Sequence, residues 1–366
     1  MPIRRHLLQA AAAAAGSLTL PLAAFAQERR FAPQPGDWRT FEVTTRAEPN
    51  LAQGATRVWL PIPSIDTEWQ RSLESNFSTN GAATRVTDGR EGAQILQVDF
   101  DASVQQPFVE LTSRVQTRNR ATDWQHKMPA KLDAAAAAYW TQPTKLIPTD
   151  GIVRDTARKA VGDARTDDEK VRRLYDWVVA NAYREPQVRG CGEGDIKTML
   201  ETGNLGGKCA DINALLVGLC RSVGVPARDV YGVRLAPSAF GYKELSGNPA
   251  SLKGAQHCRS EVFLPGGRGW VAMDPADVAK VMRLETADWI KTTQHPVVAP
   301  VNRALFGGWE GNWMAYNTAH DIALPHSTGE KIGFFMYPMA ENASGRFDPY
   351  APDDFKYQIT AKEVKA

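Results

Sequence analysis

A thiol, an imidazole and a carboxylate follow one another along this chain in an order that suits nucleophilic acyl chemistry. Cys209 lies in Gly206-Gly207-Lys208-Cys209-Ala210-Asp211, where a glycine-rich loop turns into an apolar helix. A thiol at a helix start is favoured as thiolate, because free backbone N–H groups and the helix dipole stabilise negative charge there. His257 follows in Gln256-His257-Cys258, and Asp274 in Trp270-Val271-Ala272-Met273-Asp274-Pro275. A cysteine nucleophile needs a base to hold it as thiolate, and the base needs a partner that fixes its tautomer and stabilises its positive charge. An isolated cysteine is more often a buried structural thiol. Here the glycine pair, the helix start and the ordered histidine and aspartate favour catalysis. Asp274 before Pro275 also fits a plain turn aspartate.

The elements that must position these groups are legible around them. Ile212, Leu215, Leu216 and Leu219 recur on one face of the Cys209 helix, which stops at Gly224 with Pro226 beyond. Strand alternation puts His257, Arg259, Glu261 and Phe263 on one face and Cys258, Ser260 and Val262 on the other. A turn at Pro265-Gly266-Gly267 joins this strand to Gly269–Met273, so Asp274 reaches His257 if the register is right. Upstream, Thr166-Asp167-Asp168-Glu169 reads as a capping box opening a helix that ends near Asn181 or Ala182. Ile152–Val161 and the alanine run from Ala134 predict two further helices.

These blocks resemble the transglutaminase-like superfamily. The resemblance rests on Gly207-Lys208-Cys209-Ala210-Asp211, on Val223-Gly224-Val225-Pro226-Ala227-Arg228, on His257 through Glu261-Val262, and on Trp270-Val271 before Asp274-Pro275. It covers roughly residues 150–280. It implies an α+β, papain-like core with the nucleophile helix packed on an antiparallel sheet. It also implies Cys209 as nucleophile, His257 as general base and acid, and Asp274 as orienting carboxylate. The backbone N–H of Cys209 is a natural oxyanion donor, with Tyr183 and Asn204 as side-chain candidates for the second. Family members commonly carry an aromatic residue two positions after the histidine, where this chain has Arg259. The expected cleft is accordingly more polar. Trp309 and Trp313, one helical turn apart by spacing, are candidates for its wall, with core packing as the alternative.

The rest of the chain bounds the setting. Residues 1–26 read as an export signal: Arg4-Arg5, an alanine-rich apolar stretch, then Ala24-Phe25-Ala26 before Gln27. The paired arginines favour the twin-arginine route. A retained anchor is disfavoured, because the apolar run falls short of the ~20 residues that span a bilayer. Without Arg4 and Arg5 the 43 basic residues fall to 41, equal to the 41 acids. That balance argues against nucleic acid or an anionic membrane as partner. Residues 27–122 alternate as strands and predict a small β-sandwich domain, followed by a catalytic domain over 123–366 with a C-terminal extension. The glycine-rich run Arg189–Asp195 lacks phosphate-loop spacing, so nucleotide binding is rejected. It reads as a cleft-edge loop or as a connection held by tight turns.

Four cysteines, Cys191, Cys209, Cys220 and Cys258, make no disulfide scaffold. A Cys191–Cys258 bridge is open, and Cys220 reads as a core thiol. No cysteine pair has the short spacing of zinc sites, and no calcium loop is present, so no metal or cofactor is assigned. The expectation is a periplasmic or secreted, monomeric, cysteine-dependent enzyme acting on amide or isopeptide bonds of a peptide or protein substrate. The alternative is a periplasmic binding or scaffold protein of the same fold without turnover.

Overall fold

The computed structural model describes residues 30–125, 130–265, 268–351 and 355–365. Residues 1–26, which the sequence reading assigns to an export signal, and the turn glycines Gly266 and Gly267 lie outside them. The fold is α+β.

Six antiparallel strands open the described chain: β1 (Arg39–Pro49), β2 (Thr56–Ile62), β3 (Gln70–Thr79), β4 (Ala82–Thr87), β5 (Gln94–Phe100) and β6 (Val109–Thr117). Alternation buries one face of β1 and β6, as their sequences require. They fall into two sheets, and distant segments complete both. Strand Phe355–Val364 pairs with β1 in a sheet that runs on to β6 and β3. Strand Met339–Asn342 pairs with β2 in a sheet that runs on to β5 and β4. The end of the chain therefore returns to its beginning.

The middle of the chain forms the layer that carries the candidate triad. Helix Cys209–Ser222 packs on a four-stranded antiparallel sheet, in the order Gly269–Met273, Gln256–Leu264, Ala227–Arg234, Trp313–Asn317. Every residue of the helix from Cys209 to Arg221 is buried. The sequence marks one apolar face, but helices Gly151–Val161 and Asp167–Asn181 cover the others, which makes this a core helix. The helix ends as expected: Gly224 takes φ +82° and donates to Arg221 O at 3.0 Å. The capping box of Asp167–Asn181 is complete, with Glu169 N donating to Thr166 Oγ1 at 3.2 Å and Thr166 N to Glu169 Oε2 at 3.1 Å.

Trp309 and Trp313 depart from the helical spacing. They sit in strands Gly308–Trp309 and Trp313–Asn317. Trp309 pairs with Arg120, and Trp313 with Arg234, so long-range pairing overrides a local spacing that fits a helical turn.

Candidate active site

Cys209 is the first residue of its helix and only 3 % exposed. A carboxylate two residues on, within the first turn, fixes that start. Asp211 Oδ2 accepts from Lys208 N at 2.8 Å, and Oδ1 accepts from Glu193 N and Gly194 N at 2.9 Å each. The glycine-rich loop is thereby tied to the start of the Cys209 helix. Gly192, at φ +86°, has no room for a side chain, since a Cβ would sit 1.8 Å from the Asp211 carboxylate. Gly190 and Cys191 of the same loop border the cavity beside Cys209, and Ala210 N donates to Cys191 O at 2.9 Å. The N–H of Cys209 belongs to the first helical turn, where intrahelical acceptors are lacking.

His257 enters from the sheet. Its strand partner is Gly232, where a Cβ would meet Met314 O at 2.1 Å and the Trp313 ring at 2.5 Å. Trp313 Nε1 donates to His257 O at 2.9 Å and pins the histidine backbone. The imidazole Nε2 lies 2.7 Å from Asp274 Oδ2 and 3.4 Å from Asp277 Oδ1. The hairpin register ends at Ser260 opposite Met273, and Asp274 follows as the N-cap of helix Pro275–Leu284. Its Oδ1 accepts from Asp277 N at 3.1 Å while Oδ2 faces the histidine. Turn aspartate and imidazole partner are thus one residue, using different oxygens.

Electrostatics shift the thiol and the imidazole in opposite directions. Burial pushes the Cys209 thiol up. Hydrogen bonding with Cys191, Cys258 and His257, together with the charge of His257, outweighs burial and holds it well below the usual thiol value. Burial and Arg234 push His257 down, but Asp277 and Asp274 more than compensate and raise it to about 9. Thiolate and imidazolium are the favoured resting pair. Asp277 itself resists burial because Arg234 and His257 hold it well below the ordinary carboxylate range.

Several supporting residues escape a reading of the sequence alone. Asn213, one turn after Cys209, donates to Cys258 O at 2.9 Å and lies 3.4 Å from Asp274 Oδ1. Ser260 Oγ donates to Asn213 Oδ1 at 3.2 Å. Asp277 is paired with Arg234, both buried. The available signals were a lone asparagine on the cysteine's helix face and a second aspartate three residues after Asp274.

The remaining candidates fall as follows. Tyr183 Oη donates to Asn204 Oδ1 at 3.0 Å, and neither borders the Cys209 cavity. Arg259, Trp309 and Trp313 form a buried layer behind Asp274 rather than the cavity wall. The guanidinium lies 5.1 and 4.5 Å from the two rings, with Nε 3.5 Å from Asp274 Oδ2. All four cysteines are free thiols, so the Cys191–Cys258 bridge is not formed. Strand alternation predicts Cys258 remote from the histidine's chemistry, yet it reaches Cys209, because Cys209 stands where the helix start meets the strand. Cys220 is fully buried, as expected of a core thiol. His257, Asp274 and Asp277 bring their donor atoms within 4.8 Å of one another, a spacing compatible with a cation. Arg234 on Asp277 and Arg259 beside Asp274 already supply that positive charge.

Residues 154–275 match the transglutaminase-like superfamily. An uncharacterized protein of Haemophilus influenzae is 32% identical over 333 residues, spanning 86% of this chain and 88% of the relative. A proposed cysteine protease of Cytophaga hutchinsonii shares the fold at 13% identity, with a TM-score of 0.52 over 91% of this chain and 93% of its own. The periplasmic domain of TgpA from Pseudomonas aeruginosa is more distant, at 19% identity and a TM-score of 0.37, over 71% of this chain and 93% of that domain. The chain belongs to the transglutaminase-like superfamily.

Proposed function

We propose that this protein is an exported, monomeric, cysteine-dependent enzyme that transfers the acyl group of an amide or isopeptide bond in a peptide or protein. The observation that carries the reading is the buried His257–Asp274 contact of 2.7 Å beside a thiol whose environment favours the thiolate. Export rests on the character of residues 1–26. Among the described residues no helix is long and apolar enough to cross a membrane.

In the first step the Cys209 thiolate attacks the amide carbonyl and the C=O electrons move onto oxygen. The N–H of Cys209 faces the charge that develops there. Collapse expels the amine, which takes a proton from the His257 imidazolium and leaves a thioester. The imidazole then removes a proton from water or an amine as it attacks the thioester, and the Cys209 thiolate departs. Asp274 fixes the ring at Nε2 throughout, which leaves Nδ1 for the proton transfers.

The test is alkylation by iodoacetamide, resolved by residue with mass spectrometry. Cys209 should react well before Cys220, and His257→Ala should slow it. Equal, slow labelling of all thiols overturns the reading. Incubation with periplasmic extract should leave an acyl adduct on Cys209. Full biological activity in Cys209→Ala would favour a binding protein instead.

A further inference from the structure

The cavity beside Cys209 holds about 430 Å³ and is unbalanced in charge. Four basic side chains border it, Arg184, Arg234, Lys253 and Lys280, against the single carboxylate of Asp277. Asp277 is already committed to Arg234 and His257. Lys280 Nζ donates to Glu244 O at 2.6 Å and lies 3.4 Å from Glu244 Oε2. Arg184 and Lys253 are different. Among the described residues neither has a carboxylate partner, and Lys253 has only the Tyr357 ring, 5.5 Å away. Arg184 Nε is shielded from solvent without a hydrogen-bond partner.

The fold places Arg184 deliberately close to the chemistry. Strand Tyr183–Arg184 runs parallel to Gly206–Gly207, with Arg184 opposite Gly207, two residues before the nucleophile. Burial and the charge of Arg184 both push the Lys208 amine down, so two cations flank the cysteine loop in mutual repulsion. A third border residue carries an unmet donor. Gln256 is 5 % exposed, its Oε1 accepts from Gly254 N at 2.9 Å, and its Nε2 has no partner. That accepted bond fixes the amide's orientation and leaves its N–H₂ unpaired. Unpaired cations and an unpaired buried donor at one cavity are groups that an anionic, oxygen-rich ligand satisfies.

We propose that the cavity selects an amide substrate carrying a carboxylate close to the scissile bond, with Arg184 as its principal anchor, Lys253 as a second charge and Gln256 as a neutral donor. This rests on Cys209 being the nucleophile. It specifies the substrate as an acidic peptide rather than a neutral or basic one.

Iodoacetate and iodoacetamide differ mainly in one negative charge and test the proposal on the intact protein. Their limiting rate constants at Cys209 give a ratio that cancels changes in thiol reactivity. The wild-type ratio should exceed that of a free thiol. Arg184→Gln should lower it about tenfold, the scale of one charge-assisted contact. Arg184→Lys should retain most of it, and added salt should shrink it. A high ratio that survives both Arg184→Gln and Lys253→Gln traces to the His257 imidazolium alone and overturns the proposal. A ratio no higher than that of a free thiol also overturns it. Failure of either reagent to prefer Cys209 over Cys220 instead sinks the nucleophile assignment on which it rests.

Discussion

Two buried histidines stand beside aspartates in the same sheet region, and they have opposite characters. His257 lies 2.7 Å from Asp274 and rises to about 9. His320 lies 3.5 Å from Asp229, touches Tyr231 Oη at 3.2 Å, and falls well below the ordinary imidazole value. Burial depresses both, so it does not distinguish them. The difference lies in what surrounds the carboxylates. Asp274 is fixed by the Asp277 N–H and lies near Arg259 and Asn213. With Asp277 it outweighs the charge of Arg234 on the imidazole. Neither oxygen of Asp229 has a hydrogen-bond partner, and burial raises its carboxyl to about 7. Arg221 and Arg90 then add to burial in keeping His320 neutral. Burial and Asp277 raise the Asp274 carboxyl too, but the charge and hydrogen bond of His257 and the charge of Arg259 oppose that rise, whereas at Asp229 only Arg221 does. A His–Asp pair holds its imidazole charged only where such groups favour the carboxylate.

The comparison breaks most decisively at His257. His257→Ala should slow Cys209 alkylation near pH 6 by about 10²–10⁴-fold, the range for loss of a catalytic base. His320→Gln should leave that rate unchanged. A comparable loss in both variants would show that the two histidines do not differ in the way described. Asp274→Asn should come next, with turnover down by ~10⁴-fold or less, as for loss of a triad orienting carboxylate.

Proton release from His257 should set the alkaline limb of the acylation pH profile near 9 in the wild type, with activity falling above it. Asp274→Asn should move that limb to lower pH. An unshifted limb would remove Asp274 from control of the imidazole. The smallest effect is expected at Asp229. Its folded value, about 7, lies above the ordinary 3.8. Its contribution to stability is therefore full below about 4 and is lost as pH rises through about 7. Asp229→Asn should flatten that decline in thermal unfolding midpoints between pH 4 and 8. A wild-type protein equally stable across this window would contradict the raised carboxyl.

Much of the first histidine's site was legible in sequence, because each part has a local signature. Cys209 follows a glycine pair at a helix start, His257 lies in an alternating strand, and Asp274 precedes a proline that opens a helix. Thr166 and Glu169 announce their helix in the same way. The groups that decide protonation left no such marks. Arg234 and Asp277 act between a strand and a helix, and their pairing is set by packing. Local spacing misled where sheet pairing took over, as with Trp309 and Trp313. Tyr183 and Asn204 are neighbours in space, and the hydrogen bond between them occupies the Tyr183 hydroxyl.

The return of the chain to its first sheet has a consequence in time. Strand Phe355–Val364 zips onto β1, and two tyrosines from this last stretch, Tyr350 and Tyr357, wall the Cys209 cavity. Tyr350 fits there because Gly190 leaves its ring room, 2.2 Å from where a Cβ would stand. During synthesis the thiol, the imidazole and their helix all emerge before that wall exists. The cavity is therefore complete only once this stretch is in place, and a fragment cut to residues 154–275 would carry Cys209, His257 and Asp274 without the part of the wall that Tyr350 and Tyr357 supply.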